Sequence, residues 1–207
     1  MNNLMQPLKL QIAASFKIYI ANIIIMIASS LLVYFIGNAS IENFAFILGF
    51  EIIFTLVMGV INYSVIGKTY YSLKHDRRLF TLSSLIINLL NALIILILYF
   101  LYVLLSKSEI TFTNMLNYFL LFVSLYSIAN TYSLIMNKYK LANFIVLISL
   151  ALLCLLFGHI SRDLILKLSD ILLNSNNQFS YLILINIAIT IILNIFNSFM
   201  YNKSIEY

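Results

Sequence analysis

One ionisable side chain stands well inside an apolar run. Glu51 lies about seven residues, or roughly 10 Å along a helix, from the outer end of the second such run. A carboxyl in hydrocarbon is costly, so by default it faces a bundle interior or water, and it is protonated or hydrogen-bonded to an amide or a phenol. Asn62, Asn88 and Asn91 are candidate partners, and with Glu51 they form a possible interior polar site. Asn88 and Asn91, like Asn194 and Asn197, are spaced to share one helix face. Asparagines in such helices also join one helix to the next, at about 0.5 to 2 kcal/mol each. Metal chemistry is not supported, because His75, His159 and the single Cys154 do not have zinc-ligand spacing. Catalytic residues are not expected either: the chain has no His-Glu-x-x-His, no Gly-x-Ser-x-Gly and no paired intramembrane aspartates. Without a glycine-rich phosphate loop it cannot hydrolyse ATP by itself.

Basic residues concentrate in one other place, Lys68-Thr69-Tyr70-Tyr71-Ser72-Leu73-Lys74-His75-Asp76-Arg77-Arg78. Wound as a helix, Tyr70 and Leu73 with Phe80 make an apolar ridge, and Tyr71, Lys74 and Arg78 lie on another face. Such a segment either anchors topology against anionic lipid or docks a partner through an apolar anchor flanked by charge.

The elements that hold these residues follow from composition. The chain has 207 residues, 63% apolar and 9% charged, with a net charge of +5. Its mean hydropathy is +1.03. A soluble domain of this length carries about a quarter charged residues, so a water-soluble enzyme is excluded and an all-α integral membrane protein is expected. Apolar runs near Phe16–Gly37, Phe44–Ile66, Leu79–Leu105, Asn114–Met136, Leu141–Gly158 and Phe179–Tyr201 predict six transmembrane helices in a single domain, 1–207. With one proline and five glycines in the whole chain, the helices should be continuous rather than broken.

Charge sets the expected orientation. Lys9, Lys17, Lys68, Lys74, Arg77, Arg78, Lys138, Lys140 and Lys203 fall on one side, and Lys107, Arg162 and Lys167 on the other. The positive-inside rule then puts both termini in the cytoplasm, in a multi-pass protein of the cell membrane. The topology accounts for the positive charge without a nucleic-acid partner. Leu4, Leu8, Ile12 and Phe16 recur every four residues, which predicts an N-terminal interfacial helix on the inner leaflet before the first span. Ile160, Leu164, Leu168, Ile171 and Leu172, with the Asp163/Lys167 pair opposite, predict an amphipathic outer helix too short to span.

This order of features resembles the small membrane subunit of an ABC type-2 exporter. The likeness is sharpest over Tyr71-Ser72-Leu73-Lys74-His75-Asp76-Arg77-Arg78-Leu79-Phe80, where Arg77, Arg78 and Phe80 occupy the positions of the family's Arg-containing turn and following aromatic. His75-Asp76 stands where that pattern has a glycine. The resemblance implies a permease that exports amphipathic peptides or similar hydrophobic compounds. A separate ABC ATPase would supply ATP and Mg, and a second permease copy or paralogue would complete the pore. Tyr70, Leu73, Lys74, His75, Asp76, Arg77 and Arg78 would be the ATPase-coupling residues, and the chain would carry no cofactor of its own. Two other classes fit the same spans: a substrate-binding membrane subunit of a vitamin importer, and a non-transporting membrane immunity protein.

Overall fold

The structure, a computed structural model, describes residues 2–36, 41–72, 77–106, 111–138, 163, 165–170 and 180–203. All regular structure among them is helical. In chain order these are α1 (Asn2–Ile36), α2 (Ile41–Ile61), a π-helical segment (Asn62–Gly67), α3 (Lys68–Ser72), α4 (Arg77–Ser106), α5 (Phe112–Lys138) and α6 (Ser180–Lys203). Four stretches are long and apolar enough to cross a membrane: Ile47–Tyr70, Arg78–Leu104, Phe112–Met136 and Leu182–Tyr201. They coincide with the expected second, third, fourth and sixth spans. The expected fifth span, 141–158, lies outside the described residues.

The fold is organised around α5, which packs against α2, α4 and α6, while α1 lies chiefly along α4. Three apolar clusters stack along the bundle. At one end Phe44, Leu48, Ile95, Tyr99, Tyr102, Tyr118 and Phe122 interlock. Tyr99 and Tyr118 are stacked there at 4.1 Å between ring centroids. Phe54, Met58, Ile87 and Tyr126 fill the middle. Ile66, Tyr70, Phe80, Leu134 and Tyr201 close the other end. Between α2 and α5 the backbones come close at Gly59, where a Cβ would collide with Ala129 and the Tyr126 carbonyl. Small residues permit this approach, as in helix pairs that pack without a hydrophobic driving force.

The outward faces are as apolar as the core. Ile97 is 66% exposed on α4 and Ile195 67% exposed on α6. Water would not tolerate such continuous patches on a monomer, whereas hydrocarbon does.

Two expectations are corrected. No turn separates an interfacial helix from the first span, since α1 runs unbroken from Asn2 to Ile36 with Pro7 inside its N-terminal turns. The bundle is met by a face of its first turns beside the expected stripe. Pro7 and Gln11 are buried, Leu8 is half-buried, and Ile12 and Phe16 are exposed. The periodicity marked an apolar stripe, but contact with the bundle selected a neighbouring face.

The second correction concerns the end of α2. The helix does not stop near Ile66. It passes through the π-helical segment into α3, so the described residues Lys68–Ser72 continue the same helix beyond the expected boundary. Gly67 allows this by letting the Phe80 ring approach, since a Cβ there would lie 3.3 Å from it. The Gly67 carbonyl accepts a 3.0 Å hydrogen bond from the Tyr201 hydroxyl, which ties the π segment to α6.

Of the expected outer helix, residues 165–170 are helical. Asp163, Lys167 and Asp170 are exposed, Leu168 is half-buried and Ser169 is buried. Leu168 packs on the Phe44/Tyr118 cluster, as the amphipathic pattern requires.

Candidate functional site

The facing sides of α2, α4 and α5 carry a polar seam. On α4, Ser84, Asn88 and Asn91 follow one another at i, i+4 and i+7 and are all buried, so they line one face. On α2, Glu51 and Thr55 stand one turn apart, both with no exposed surface, and Asn62 follows where the π segment begins. Asn117, Ser124, Ser127 and Asn130 are the buried polar residues of α5 along this face.

Two tiers of the seam are hydrogen-bonded. In the first, the Asn62 amide donates to the Ser84 hydroxyl at 2.6 Å and to the Asn130 side-chain oxygen at 3.5 Å. The Asn130 amide donates to the same Ser84 oxygen at 3.3 Å. In the second, the Ser127 hydroxyl accepts from Asn88 at 3.1 Å and from Asn194 at 3.0 Å, and donates to the Val123 carbonyl at 2.9 Å. The Asn88 amide also reaches the Val123 carbonyl at 3.1 Å, and Asn197 donates to the Ser127 carbonyl at 3.3 Å. Each tier joins three helices, which is how amides act in apolar surroundings.

Nearer the Phe44 end several buried polar atoms of the seam are unmatched among the described residues. Thr55 Oγ1, both polar atoms of the Asn91 amide, and the Tyr118 hydroxyl are buried and have no hydrogen-bond partner among the described residues. The Asn62 and Asn88 side-chain oxygens are likewise unmatched, although their nitrogens are used. Glu51 sits within electrostatic reach of Tyr118.

The expected interior site is therefore assembled in part. Asn62 and Asn88 serve as interhelical ties in adjacent tiers, while the Asn91 amide is unmatched among the described residues and Glu51 is buried at the same end of the seam. Thr55, Ser84, Tyr118 and Ser127 were not expected. A signal for them existed in the spacings Glu51/Thr55 and Ser84/Asn88/Asn91, each one or two turns apart on the face that also holds an expected residue.

The basic segment is divided. Lys68 and Arg78 are exposed. Tyr70, by contrast, is buried against Phe80, whose ring centroid lies 5.3 Å away, and Phe80 meets Tyr201 at 5.2 Å. Two of the three residues of the expected apolar ridge, Tyr70 and Phe80, are thus packed inside the chain rather than shown on its surface. Leu73, Lys74, His75 and Asp76, and the side chains of Tyr71 and Arg77, lie outside what is described.

A separate cavity of about 470 Å³ opens between α2 and α5, lined by Leu56, Val57, Val60, Ile61, Ile128, Ala129 and Tyr132. With Tyr132 its one polar residue, it suits an apolar chain and not an ion. No group of His, Cys, Asp and Glu side chains that could hold a metal ion occurs among the described residues. Compared with known protein families, with characterised proteins and with solved structures, the chain matches none.

Proposed function

We propose that the chain is the membrane permease subunit of an ATP-driven ABC exporter. It would move amphipathic peptides or similar hydrophobic compounds out of the cell, with hydrolysis done by a separate ATPase subunit. In this reading six spans cross the cell membrane with both termini in the cytoplasm, and the chain pairs with a second permease copy or a paralogue.

The observation that supports the reading most is how the basic segment is mounted. Lys68, at the start of α3, and Arg78, in the first turn of α4, stand exposed. Directly behind them Tyr70, Phe80 and Tyr201 lock three helices together. A push on the charged segment would pass through that aromatic cluster into α6, and through the π segment into α2. Because Tyr70 is held inside, contact with the ATPase falls to the charged residues around Lys74, Arg77 and Arg78. An arginine fork against carboxylates fixes register better than a lysine does.

The test is Arg77→Glu/Arg78→Glu. Inner positive charge remains at Lys9, Lys17, Lys68, Lys74, Lys138, Lys140 and Lys203, so orientation and membrane level are expected to hold. Copurification of an ATPase and peptide export are expected to vanish. If both persist, the segment is a topology anchor and the exporter reading fails.

The enclosed polar groups around Glu51 favour, as a second reading, the substrate-binding membrane subunit of a vitamin importer. That subunit would retain a small ligand after purification without any ATPase.

A further inference from the structure

The unmatched end of the polar seam has a definite position. Asn91 is one turn from Ile87, which belongs to the middle cluster with Phe54 and Met58. In the other direction it is one turn from Ile95, which belongs to the cluster with Phe44 and Leu48. Asn91 therefore faces α2 at the level between Leu48 and Phe54, where Glu51 points inward, with Thr55 one turn along. Asn88 lies one turn below Asn91 on the same face, and Tyr118 approaches Glu51 from α5.

The chemistry of the unpartnered atoms is one-sided. Thr55 Oγ1, Asn88 Oδ1, Asn91 Oδ1 and Tyr118 Oη are oxygens, against the single nitrogen Asn91 Nδ2; the two hydroxyls can also donate, whereas the two amide oxygens can only accept. The Asn88 orientation is fixed, since reversing its amide would set its oxygen against the Val123 carbonyl that its nitrogen now bonds. Each enclosed acceptor without a donor costs about 1 to 3 kcal/mol. One cation relieves several oxygens together, because neutral amide and hydroxyl oxygens are hard ligands. Divalent ions draw on several carboxylates, and Glu51 is the one carboxylate at this level among the described residues.

We propose that Thr55, Asn88 and Asn91, with Glu51 and Tyr118 beside them, form an intramembrane binding site for a monovalent metal cation of sodium size. The site lies in the bundle interior and requires no ATPase, so it stands or falls separately from the exporter reading. Bound there, the ion cross-links α2, α4 and α5.

The full-length chain, purified in detergent, tests this through thermal unfolding in sodium chloride against choline chloride at equal ionic strength. A ligand of the folded state raises Tm in a saturable way. The expected result is a sodium-specific, saturable rise in Tm, with apparent affinity weakened at least tenfold by Thr55→Val and by Asn91→Leu. Thr190→Val, which removes an unpartnered hydroxyl on α6 that is not one of the proposed ligands, is expected to leave the affinity unchanged. If Asn91→Leu does not accumulate, the shape-conserving Thr55→Val decides. Equal Tm in the two salts, or sodium stabilisation that survives Thr55→Val, overturns the proposal. So does a Thr55→Val effect that is the same in sodium and choline, which would mark the seam as a water site.

Discussion

Ser127 joins more polar side chains than any other residue described. Its hydroxyl holds Asn88 and Asn194, and its carbonyl accepts from Asn197 and, at 2.9 Å, from Thr131. Removing that hydroxyl costs Asn88 and Asn194 one hydrogen bond each and unties α6 from α4, although Asn88 keeps the Val123 carbonyl and Asn194 the Thr190 carbonyl. Two such losses together cost about 1 to 3 kcal/mol. Ser127→Ala should therefore lower the thermal midpoint of the purified protein clearly, and more than Thr69→Ala, whose hydroxyl bonds only locally at an exposed position. An unchanged midpoint for Ser127→Ala would show that the tier is decorative. Glu51 makes a different prediction. It has no exposed surface, so a neutral amide of the same size fits and a longer, cationic chain does not. Membrane abundance is expected to stay near normal for Glu51→Gln and to collapse for Glu51→Lys. Normal abundance of the lysine variant would place the side chain in the headgroups.

At the scale of elements, α2 is the most constrained helix. It meets α5 through Gly59, where Ala129 and the Tyr126 carbonyl leave no room for a branched side chain. Gly59→Val forces these helices apart or strains the α2 backbone, and overpacking of this kind costs about 1 to 3 kcal/mol. A lower thermal midpoint is expected, with partial rescue by Ala129→Gly; no loss of stability would mean that the close approach is not required. Below Gly59 the same helix widens into its π turn. Such turns loosen the regular hydrogen-bond ladder, and here Asn62 ties one end while Tyr201 ties the other. The C-terminal helix is thus fastened to the end of α2, 134 residues earlier in sequence.

For the whole molecule, the distribution of polarity is inverted relative to a soluble fold. The interior contains Glu51 and a set of asparagines and serines, and the outside is covered by isoleucine, leucine and phenylalanine. Lipid matches that exterior, and helices satisfy their own backbone groups within it. The full chain is expected to stay in the membrane fraction through an alkaline carbonate wash and to need detergent for release. Recovery in the wash supernatant would contradict the assignment.

Composition alone pointed to long apolar helices, because so few charges cannot solvate a chain of this length, and four such helices are described. The spans around α2, α4, α5 and α6 were legible for the same reason: about 20 apolar residues are needed to cross hydrocarbon, and their number depends on length and hydropathy rather than on contacts. Amphipathic spacing likewise placed the exposed Asp163, Lys167 and Asp170 opposite Leu168. What remained illegible depends on which face of each helix meets another. Leu4, Leu8, Ile12 and Phe16 form one stripe by spacing, yet in apolar surroundings an apolar stripe gains little by turning inward. Tertiary contact buried Gln11 instead. Tyr70 reads as a surface anchor beside four cations, and only Phe80 and Tyr201, arriving from distant helices, turn it into a core residue. The π turn has no signature in sequence, since it arises from ties made by Ser84, Asn130 and Tyr201. Lipid, by removing the hydrophobic preference for the inside, leaves burial to polar pairing and close packing, and those are decided in three dimensions.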